Sequence, residues 1–449
     1  MTAIVSSCST GISFASYIQK SILKEIDNPS PMKTVKCLFL VLLLLSGCAN
    51  ITPINEMPSM ILGEPAFYPT IAAHTDASII AGSRVELLFN GDQIFPAMLQ
   101  AIRSARKSIT YQQYFFEDGA IAHEIAEAFA ERCRAGVQVK ILLDSLGGGN
   151  IPKDIPDLWK KSGCQLEWFE RIKVFQFITP WELLNYNHRS HRRILVIDGK
   201  IGFTGGHGVS DAWSGNGRTA EHWRQTDVRV EGPIVQQLQA AFVESWRRAT
   251  GDVLGDDAYF PALDVQGKVY AQIVKSSPLS SSFGTYLLFL LSITSAQKSI
   301  NIANPYFFPD NRIEEALINA VKRGVKVVVL TPAKSDHATT SSASHSGFGV
   351  FLLGGVEIYE YQPALMHTKA MVVDGIWATV GSANLDYRSL AINEELNLVV
   401  YDAAFAGQLE KSFQEDLKYS KKLTYEAWNS RPFTEKILEL FTIPIKEQL

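Results

Sequence analysis

The chain carries the same order of segments twice, and this internal repeat restricts its possible folds more than any other feature. The segment IRSARKSI at 102–109 returns as ITSAQKSI at 293–300. Each copy leads to a Tyr-Phe-Phe triplet, at 114–116 and at 306–308. A repeated order of segments predicts two related folding units within one chain.

Within each copy, strand patterns alternate with helical patterns. In the first copy the apolar spacing predicts a strand at Arg84–Phe89, a helix at Ile94–Ala105 and a strand at Ser108–Phe116. Strands that alternate with helices are typical of α/β lobes with mixed sheets. We therefore predict an α/β fold of two tandem lobes, 83–255 and 256–449, related by a pseudo-twofold axis.

Composition and charge restrict the partners. Apolar residues make up 46% of the chain and charged residues 20%, a balance typical of globular proteins. The net charge is −4, whereas proteins that bind duplex nucleic acid carry an excess of lysine and arginine. We therefore expect no nucleic-acid partner, and the charge counts against a nuclease.

The five cysteines show no spacing typical of a metal site, so we predict no metal. Cys133 lies in a helical pattern, and Cys164 opens a predicted strand. We interpret both as small buried hydrophobic residues rather than as partners in a disulfide.

The N-terminal region contains one targeting segment. Residues 32–48 combine two lysines, a short apolar run and a final Leu-Ser-Gly-Cys, a signal pattern too short to span a bilayer. Its end resembles the lipobox of bacterial lipoproteins. That resemblance implies lipidation of Cys48 and lobes anchored to a membrane on the extracytoplasmic side; a plain anchor or a cleaved signal are the alternatives. We predict that 1–31 are a mis-called or unstructured extension and that 49–82 form a tether.

Each half contains a histidine followed by a basic residue two positions later and an aspartate five positions after that. The motif residues are His191, Arg193 and Asp198 in the first half, and His367, Lys369 and Asp374 in the second. On a strand, residues two apart face the same side, so each histidine and its cation enter one pocket. The cation neutralises the oxygens of a phosphate diester, while the imidazole supplies a nucleophile or a proton. Two copies at equivalent positions favour catalysis over a structural role.

With these paired motifs the chain resembles the phospholipase D superfamily, and within it the bacterial cardiolipin synthases. The resemblance covers about residues 83–420 and includes LLFNGDQIFPAML, NPYFFPD, VRVEGP and TVGSANLDYRS. It implies one active site at the interface of the lobes and a reaction in two steps without metal or cofactor. One histidine attacks phosphorus to form a phosphohistidine. The other protonates the leaving alcohol and then deprotonates the acceptor.

The resemblance also assigns roles to the motif residues. It implies that His191 is the nucleophile and His367 the acid and base, while Arg193 and Lys369 hold the phosphate oxygens. In the first motif arginine stands where the family usually has lysine. Because arginine keeps the charge and binds phosphate with two donors, we expect activity to survive this exchange.

Supporting residues follow from the same resemblance. The motif aspartates fix the loops after their strands, and a Gly-Ser-x-Asn turn supplies hydrogen-bond donors to the substrate. A carboxylate on the next strand orients the histidine of the opposite half, which is Glu395 for His191. The other supporting residues are Asp198, Asp374, Ser382 and Asn384.

At the position that corresponds to Glu395, the first half has Gln225, where the family usually has aspartate. Glutamine accepts a hydrogen bond from an imidazole but does not stabilise its charged form. Asp227, two residues along on the same strand face, is the candidate replacement for orienting His367. His207 lies near the first motif without a paired partner, and we interpret it as structural.

The expected partners are a membrane and a phospholipid substrate. The predicted reaction joins two molecules of phosphatidylglycerol into cardiolipin with release of glycerol. Hydrolysis to phosphatidic acid uses the same intermediate and stays an alternative, as does an inactive lipid-binding lipoprotein, which the glutamine at 225 suggests. An aromatic-rich insert at 171–187 either contacts lipid or packs on its own lobe.

Overall fold

The computed structural model describes residues 54–170, 187–278, 282–336 and 338–432, together with Lys436. The predicted extension and signal, Cys48 and nearly all of the aromatic-rich insert therefore lie outside the described residues. No helix in the described part of the chain is both long and apolar enough to span a membrane.

Helices and strands alternate along both halves. Up to residue 250 the elements are α1 (Phe67–Thr75), β1 (Ile80–Phe89), α2 (Asn90–Ser104), β2 (Ser108–Gln113), α3 (Ala120–Arg134), β3 (Gln138–Asp144), α4 (Asp154–Lys161), β4 (Gln165–Phe169), β5 (Ile194–Ile197), β6 (Ile201–Gly205), β7 (Thr226–Glu231) and α5 (Ile234–Thr250).

The second half repeats the succession from β1 onward, with short elements inserted between the repeated ones and others added at its end. Its elements are β8 (Val269–Ser277), β9 (Ser282–Phe283), α6 (Gly284–Ser295), β10 (Ser299–Ala303), β11 (Phe307–Phe308), α7 (Asn311–Lys322), β12 (Lys326–Pro332), α8 (Ala338–Leu353), β13 (Glu357–Tyr361), β14 (Ala370–Val373), β15 (Trp377–Gly381), β16 (Leu385–Asp386), α9 (Tyr387–Ala391), β17 (Glu395–Tyr401), α10 (Ala403–Leu417), β18 (Ser420–Leu423) and α11 (Tyr425–Asn429).

Both halves contribute to one 16-stranded mixed sheet. β1 and β8 lie side by side at its centre and run antiparallel. Outward from β1 the order is β7, β6, β5, β2, β3 and β4; outward from β8 it is β17, β15, β14, β10, β12 and β13, with β18 at the edge. Apart from β9 and β18, each strand of this sheet thus has a counterpart at the same place in the other half. This arrangement confirms the predicted α/β fold of two duplicated lobes.

The motif strands are covered on both faces, which explains their unbroken apolar sequences. In β5, Ile194 and Val196 face a hydrophobic core that contains α5 and α10 and is shared by both lobes. Leu195 and Ile197 face a second core under α2 and α3. Because a strand buried on both faces is apolar at every position, periodicity alone does not show which residues point where.

The predicted tether over 49–82 does not describe the chain from Phe67 onward. Phe67 and Ile71, four positions apart on α1, are fully buried against α6. Pro69 occupies the first turn of the helix, where a missing N–H costs no hydrogen bond. The prolines that suggested a linker are therefore compatible with a packed helix, and β1 begins at Ile80 rather than Arg84.

The prediction for Cys133 and Cys164 is wrong, since the two residues form a disulfide with a Cα–Cα distance of 5.4 Å. Cys133 is in the last turn of α3, and Cys164 directly precedes β4. The parallel pairing of β3 with β4 brings these two points to the same edge of the sheet. Both cysteines are only half-buried, so neither is a core residue.

Candidate active site

His191 and His367 occupy equivalent places in the two lobes, in extended segments just before β5 and β14. Strand pairing across the lobes fixes both segments. The His191 N–H donates to the carbonyl of Glu394 at 2.9 Å, and the His367 N–H donates to the carbonyl of Arg224 at 2.8 Å. Each histidine is thus hydrogen-bonded to the other lobe, at the residue just before Glu395 in one case and just before Gln225 in the other. The lobe interface therefore brings the two motifs together.

The His191 ring is held at both nitrogens. Its Nδ1 lies 2.9 Å from one oxygen of the buried Glu395 carboxylate, and its Nε2 lies 3.0 Å from a guanidinium nitrogen of Arg193. Because a guanidinium only donates, Nε2 is the acceptor and Nδ1 carries the proton. His191 therefore presents a neutral ring with a lone pair on Nε2.

Electrostatics keep this ring neutral. Burial and the Arg193 cation lower the pKa of His191 to about 4, although Glu395 opposes the shift. Burial raises the pKa of Glu395, but His191, the Ser382 hydroxyl and Arg193 together hold it below its usual value. A neutral imidazole beside a carboxylate that stays charged is the state of an oriented nucleophile.

The His367 ring has different neighbours. An imidazole nitrogen bonds to the backbone of Gly206, and the indole rings of Trp213 and Trp223 lie 5.2 and 5.6 Å from it, centre to centre. The Lys369 ammonium lies 3.2 Å from Nε2. Burial, followed by Lys369, lowers the pKa of His367 well below its usual value.

Arg193 and Lys369 place two cations beside the histidines. Arg193 is 2% exposed and Lys369 1%. Burial and then Arg193 lower the pKa of Lys369, although Glu395 opposes the shift. Buried cations are costly unless an anion compensates them, so the site favours a bound phosphate.

The motif aspartates act on the backbone, away from the histidines. The Asp198 carboxylate accepts hydrogen bonds from the N–H groups of Arg106, Lys107 and Ser108 at 2.7–3.1 Å. Asp374 binds residues 297–299 in the same way. Each carboxylate ties the turn after the motif strand to the start of the neighbouring strand.

Two further predicted residues lie in the Gly-Ser-x-Asn turn. The Ser382 hydroxyl donates to the Glu395 carboxylate. Asn384 is 4% exposed, and its side-chain oxygen has no partner among the described residues. Ser382 therefore supports the carboxylate that holds His191.

The structure places neither Gln225 nor Asp227 against His367, contrary to the prediction. The Gln225 amide donates to the Asp227 carboxylate at 2.6 Å and to the Thr226 carbonyl at 2.8 Å. Asp227 is paired instead with His207, which the sequence had left without a partner.

Sequence reasoning missed three aromatic residues of the site. Tyr114 packs edge-to-face on His191 with the ring centres 4.9 Å apart, and Trp213 and Trp223 lie around His367. Tyr114 had a detectable signal because it opens the repeated Tyr-Phe-Phe triplet. The two tryptophans lie on the long connection between β6 and β7, for which the repeat offers no guide.

Two duplicated α/β lobes that share one pair of histidines and two buried cations define a phospholipase D-like protein. A family model described as cardiolipin synthase, phospholipase D-like domain, matches residues 98–246 and 290–417. The chain belongs to this family.

Individual relatives agree with the family. The chain is 35% identical over 364 residues to cardiolipin synthase 1 of Bacillus anthracis, covering 79% of this chain and 70% of that protein. It is 36% identical over 376 residues to a probable cardiolipin synthase of Bacillus subtilis, covering 83% and 73%. The crystal structure of phosphatidylserine synthase from Haemophilus influenzae has the same fold, with a TM-score of 0.64 at 14% identity over 85% of this chain and all of that chain.

Proposed function

We propose that the protein is a phosphatidyltransferase that converts two molecules of phosphatidylglycerol into cardiolipin and glycerol through a phosphohistidine at His191. The observation that carries the proposal is the pair of contacts that holds the two nitrogens of the His191 ring. Its Nδ1 faces Glu395, and its Nε2 accepts from Arg193. The lone pair of Nε2 thus points to the Arg193 guanidinium. A bound phosphate would take over part of the hydrogen bonding of Arg193 and lie in front of this lone pair.

The first step forms the covalent intermediate. Nε2 of His191 attacks phosphorus, and the bond from phosphorus to the terminal glycerol oxygen breaks. His367 gives a proton to that oxygen, so glycerol leaves as the neutral alcohol. Arg193 and Lys369 neutralise the negative charge on the phosphate oxygens, and a phosphate anion counters the effects that lower the pKa of His367.

The second step transfers the phosphatidyl group. His367, now neutral, takes the proton from a hydroxyl of the second phosphatidylglycerol, whose oxygen attacks phosphorus as the bond to Nε2 breaks. Asp198, Asp374 and Ser382 act in this proposal by fixing the motif strands and the Glu395 carboxylate. Asn384 keeps the predicted role of a hydrogen-bond donor to the substrate.

We also propose that Cys48 is lipidated and that the lobes face an oxidising compartment outside the cytoplasm. The disulfide between Cys133 and Cys164 supports this side of the membrane, because such bonds persist in oxidising compartments and are rare in the cytosol. A Cys48→Ser variant should lose the lipid mass and leave the membrane fraction. Retention of the variant in membranes would contradict lipid anchoring.

Purified full-length protein and vesicles of labelled phosphatidylglycerol test the reaction. We expect cardiolipin and glycerol in equal amounts and, after rapid acid-free quenching, a phosphatidyl adduct on His191. His191→Ala and His367→Ala should each lower turnover by at least about a thousandfold without changing the unfolding temperature. Phosphatidic acid as the product would indicate hydrolysis, and binding without turnover would indicate a lipid-binding protein; either result rejects the transferase.

A further inference from the structure

The two lobes differ at the positions that should be equivalent around the histidines. Strand register pairs Gly205 with Asp227 in the first lobe and Gly381 with Asn397 in the second. Asp227 therefore corresponds to Asn397. By the same register, Gln225 corresponds to Glu395, so each lobe has one carboxylate on this strand face, at different positions.

In the first lobe the carboxylate holds a turn. Asp227 is 1% exposed and accepts a hydrogen bond from the Gly206 N–H at 3.1 Å. It also accepts the Gln225 amide at 2.6 Å and binds Nδ1 of His207. Three groups on and beside the turn 205–207 are thus fixed by one buried side chain.

The same turn carries two groups of the active site on consecutive residues. Gly206 lies against the second motif, since a Cβ atom on it would come 3.1 Å from Cδ of Lys369, and its backbone bonds to the imidazole of His367. The His207 carbonyl accepts Nε–H of Arg193 at 2.7 Å. His367 and Arg193 therefore take their positions from a turn that Asp227 holds.

The corresponding turn of the second lobe is built differently. Ala383 occupies the position equivalent to His207. The side chain of Asn397 binds the Ala383 N–H and the Thr379 hydroxyl. The turn of the second lobe therefore has no imidazole–carboxylate pair. His191, the histidine of the opposite lobe, is bound directly by Glu395 instead. The His207–Asp227 pair thus occurs in the lobe whose opposite histidine lacks a carboxylate.

We propose that Asp227, together with His207, is a positioning residue that holds the Gly206 carbonyl against His367 and so replaces the carboxylate missing at Gln225. The inference rests on the proposed function, because it assigns a purpose to the proton relay through His367. Asp227 also raises the pKa of the buried Arg193, so its charge helps to keep that cation charged.

The test compares Asp227→Asn with the double variant Gln225→Glu/Asp227→Asn in the full-length protein. Asp227→Asn gives the first lobe the residue found at Asn397, and Gln225→Glu gives it the residue found at Glu395. Release of glycerol from phosphatidylglycerol vesicles is the readout, because glycerol leaves whether water or a lipid alcohol is the acceptor.

We expect Asp227→Asn to lower kcat by roughly 10- to 100-fold with a smaller change in KM, as the loss of a residue that orients a catalytic group does. The double variant should recover most of kcat, since a carboxylate at 225 would reach His367 as Glu395 reaches His191. Asp402→Asn is the matched control. It makes the same exchange at the N-cap of α10, where the asparagine oxygen still accepts from the Phe405 N–H, and should leave kcat unchanged.

Equal kcat for wild type and Asp227→Asn would overturn the inference, as would a double variant no better than Asp227→Asn alone. If Asp227→Asn does not fold, His207→Ala, which copies Ala383, replaces it, and unchanged kcat in this variant would also overturn the inference. Absence of glycerol release from the wild type would overturn the proposed function itself, and the inference with it.

Discussion

At the level of single residues, the two imidazoles differ in the acceptor that holds each ring. His191 has the Glu395 carboxylate, whereas His367 has the Gly206 backbone and two indole rings. An imidazole beside a fixed carboxylate is suited to carry positive charge when a phosphoryl group binds to it. A neutral carbonyl stabilises a protonated imidazole less than a carboxylate does, so His367 gives up its proton more readily. The difference matches the two roles proposed for these residues.

The shifted pKa of His191 predicts the pH dependence of the first step. A protonated imidazole has no lone pair for attack, and the pKa of this ring is lowered from 6.5 to about 4. The nucleophile therefore remains neutral as the pH falls below 6.5, and formation of the adduct should decline only near pH 4. Rapid-quench measurement of the phosphatidyl adduct across pH, with circular dichroism as a check on folding, gives the midpoint. A midpoint near 6.5 would show that His191 is not held as described.

At the level of elements, two ion pairs with opposite polarity join the lobes. Arg224, just before β7, binds Asp416 on α10 of the second lobe at 2.8 Å. Glu394, just before β17, binds Arg248 on α5 of the first lobe at 2.6 Å. The segments are related by the pseudo-twofold axis, but the signs are reversed. If two copies of the same lobe paired, two arginines or two carboxylates would meet at each of these contacts. The contacts therefore favour pairing of a first lobe with a second lobe.

The burial of these ion pairs predicts unequal costs for breaking them. Asp416→Ala leaves Arg224, whose side chain is 5% exposed, without its carboxylate and should lower the free energy of unfolding by about 3 kcal/mol. Arg248→Ala should cost about 1 kcal/mol, because that side chain is 28% exposed and the buried Glu394 that it leaves keeps a second cation, Arg192, at 3.8 Å.

Urea unfolding measures both effects. Glu124→Ala, which removes the half-exposed partner of Arg103, serves as the control and should change nothing measurable. A larger loss for Arg248→Ala than for Asp416→Ala would contradict the ranking.

At the level of the whole molecule, the central β1–β8 pair joins two lobes into one sheet, while the active site depends on contacts further along the interface. Both lobes supply part of each histidine site: Glu395 from the second lobe holds His191, and Gly206 from the first lobe bonds to His367. Neither lobe therefore contains a complete site, and the two motifs of the chain together form one active site.

We expect loss of the disulfide to lower the stability of the protein and to leave its activity unchanged. It closes a loop between residues 31 positions apart and ties α3 to β4, the edge strand three places from β5. Cys133→Ser/Cys164→Ser should lower the free energy of unfolding by roughly 3 kcal/mol, since the unfolded chain is no longer cross-linked. Glycerol release well below the unfolding temperature should stay unchanged.

Reduction of the wild type provides the matched control. A reductant should bring its stability to that of the double serine variant and leave the variant unaffected. Two free thiols at 133 and 164 in protein isolated without reductant would contradict the bond and remove its support for an oxidising compartment.

The sequence by itself determined the duplicated α/β fold, the two motifs and the residue that would face His191. These features are readable because each depends on local order: the repeat, the apolar strands and the two-residue spacing of His191 with Arg193 and of His367 with Lys369. The resemblance to the phospholipase D superfamily then assigned Glu395 to His191 across the interface.

Only the tertiary structure decided what supports His367, whether Asp227 reaches it, and that Cys133 and Cys164 are bonded. The physical reason is that these contacts join residues distant in sequence, and their partners depend on strand order and register. The departures from symmetry, at Gln225 and His207, are the places where one half gives no guide to the other. The repeat predicts the residues that the two lobes have in common. Only their packing shows that the first lobe, which has Gln225 at the position of Glu395, places a His207–Asp227 pair beside the site.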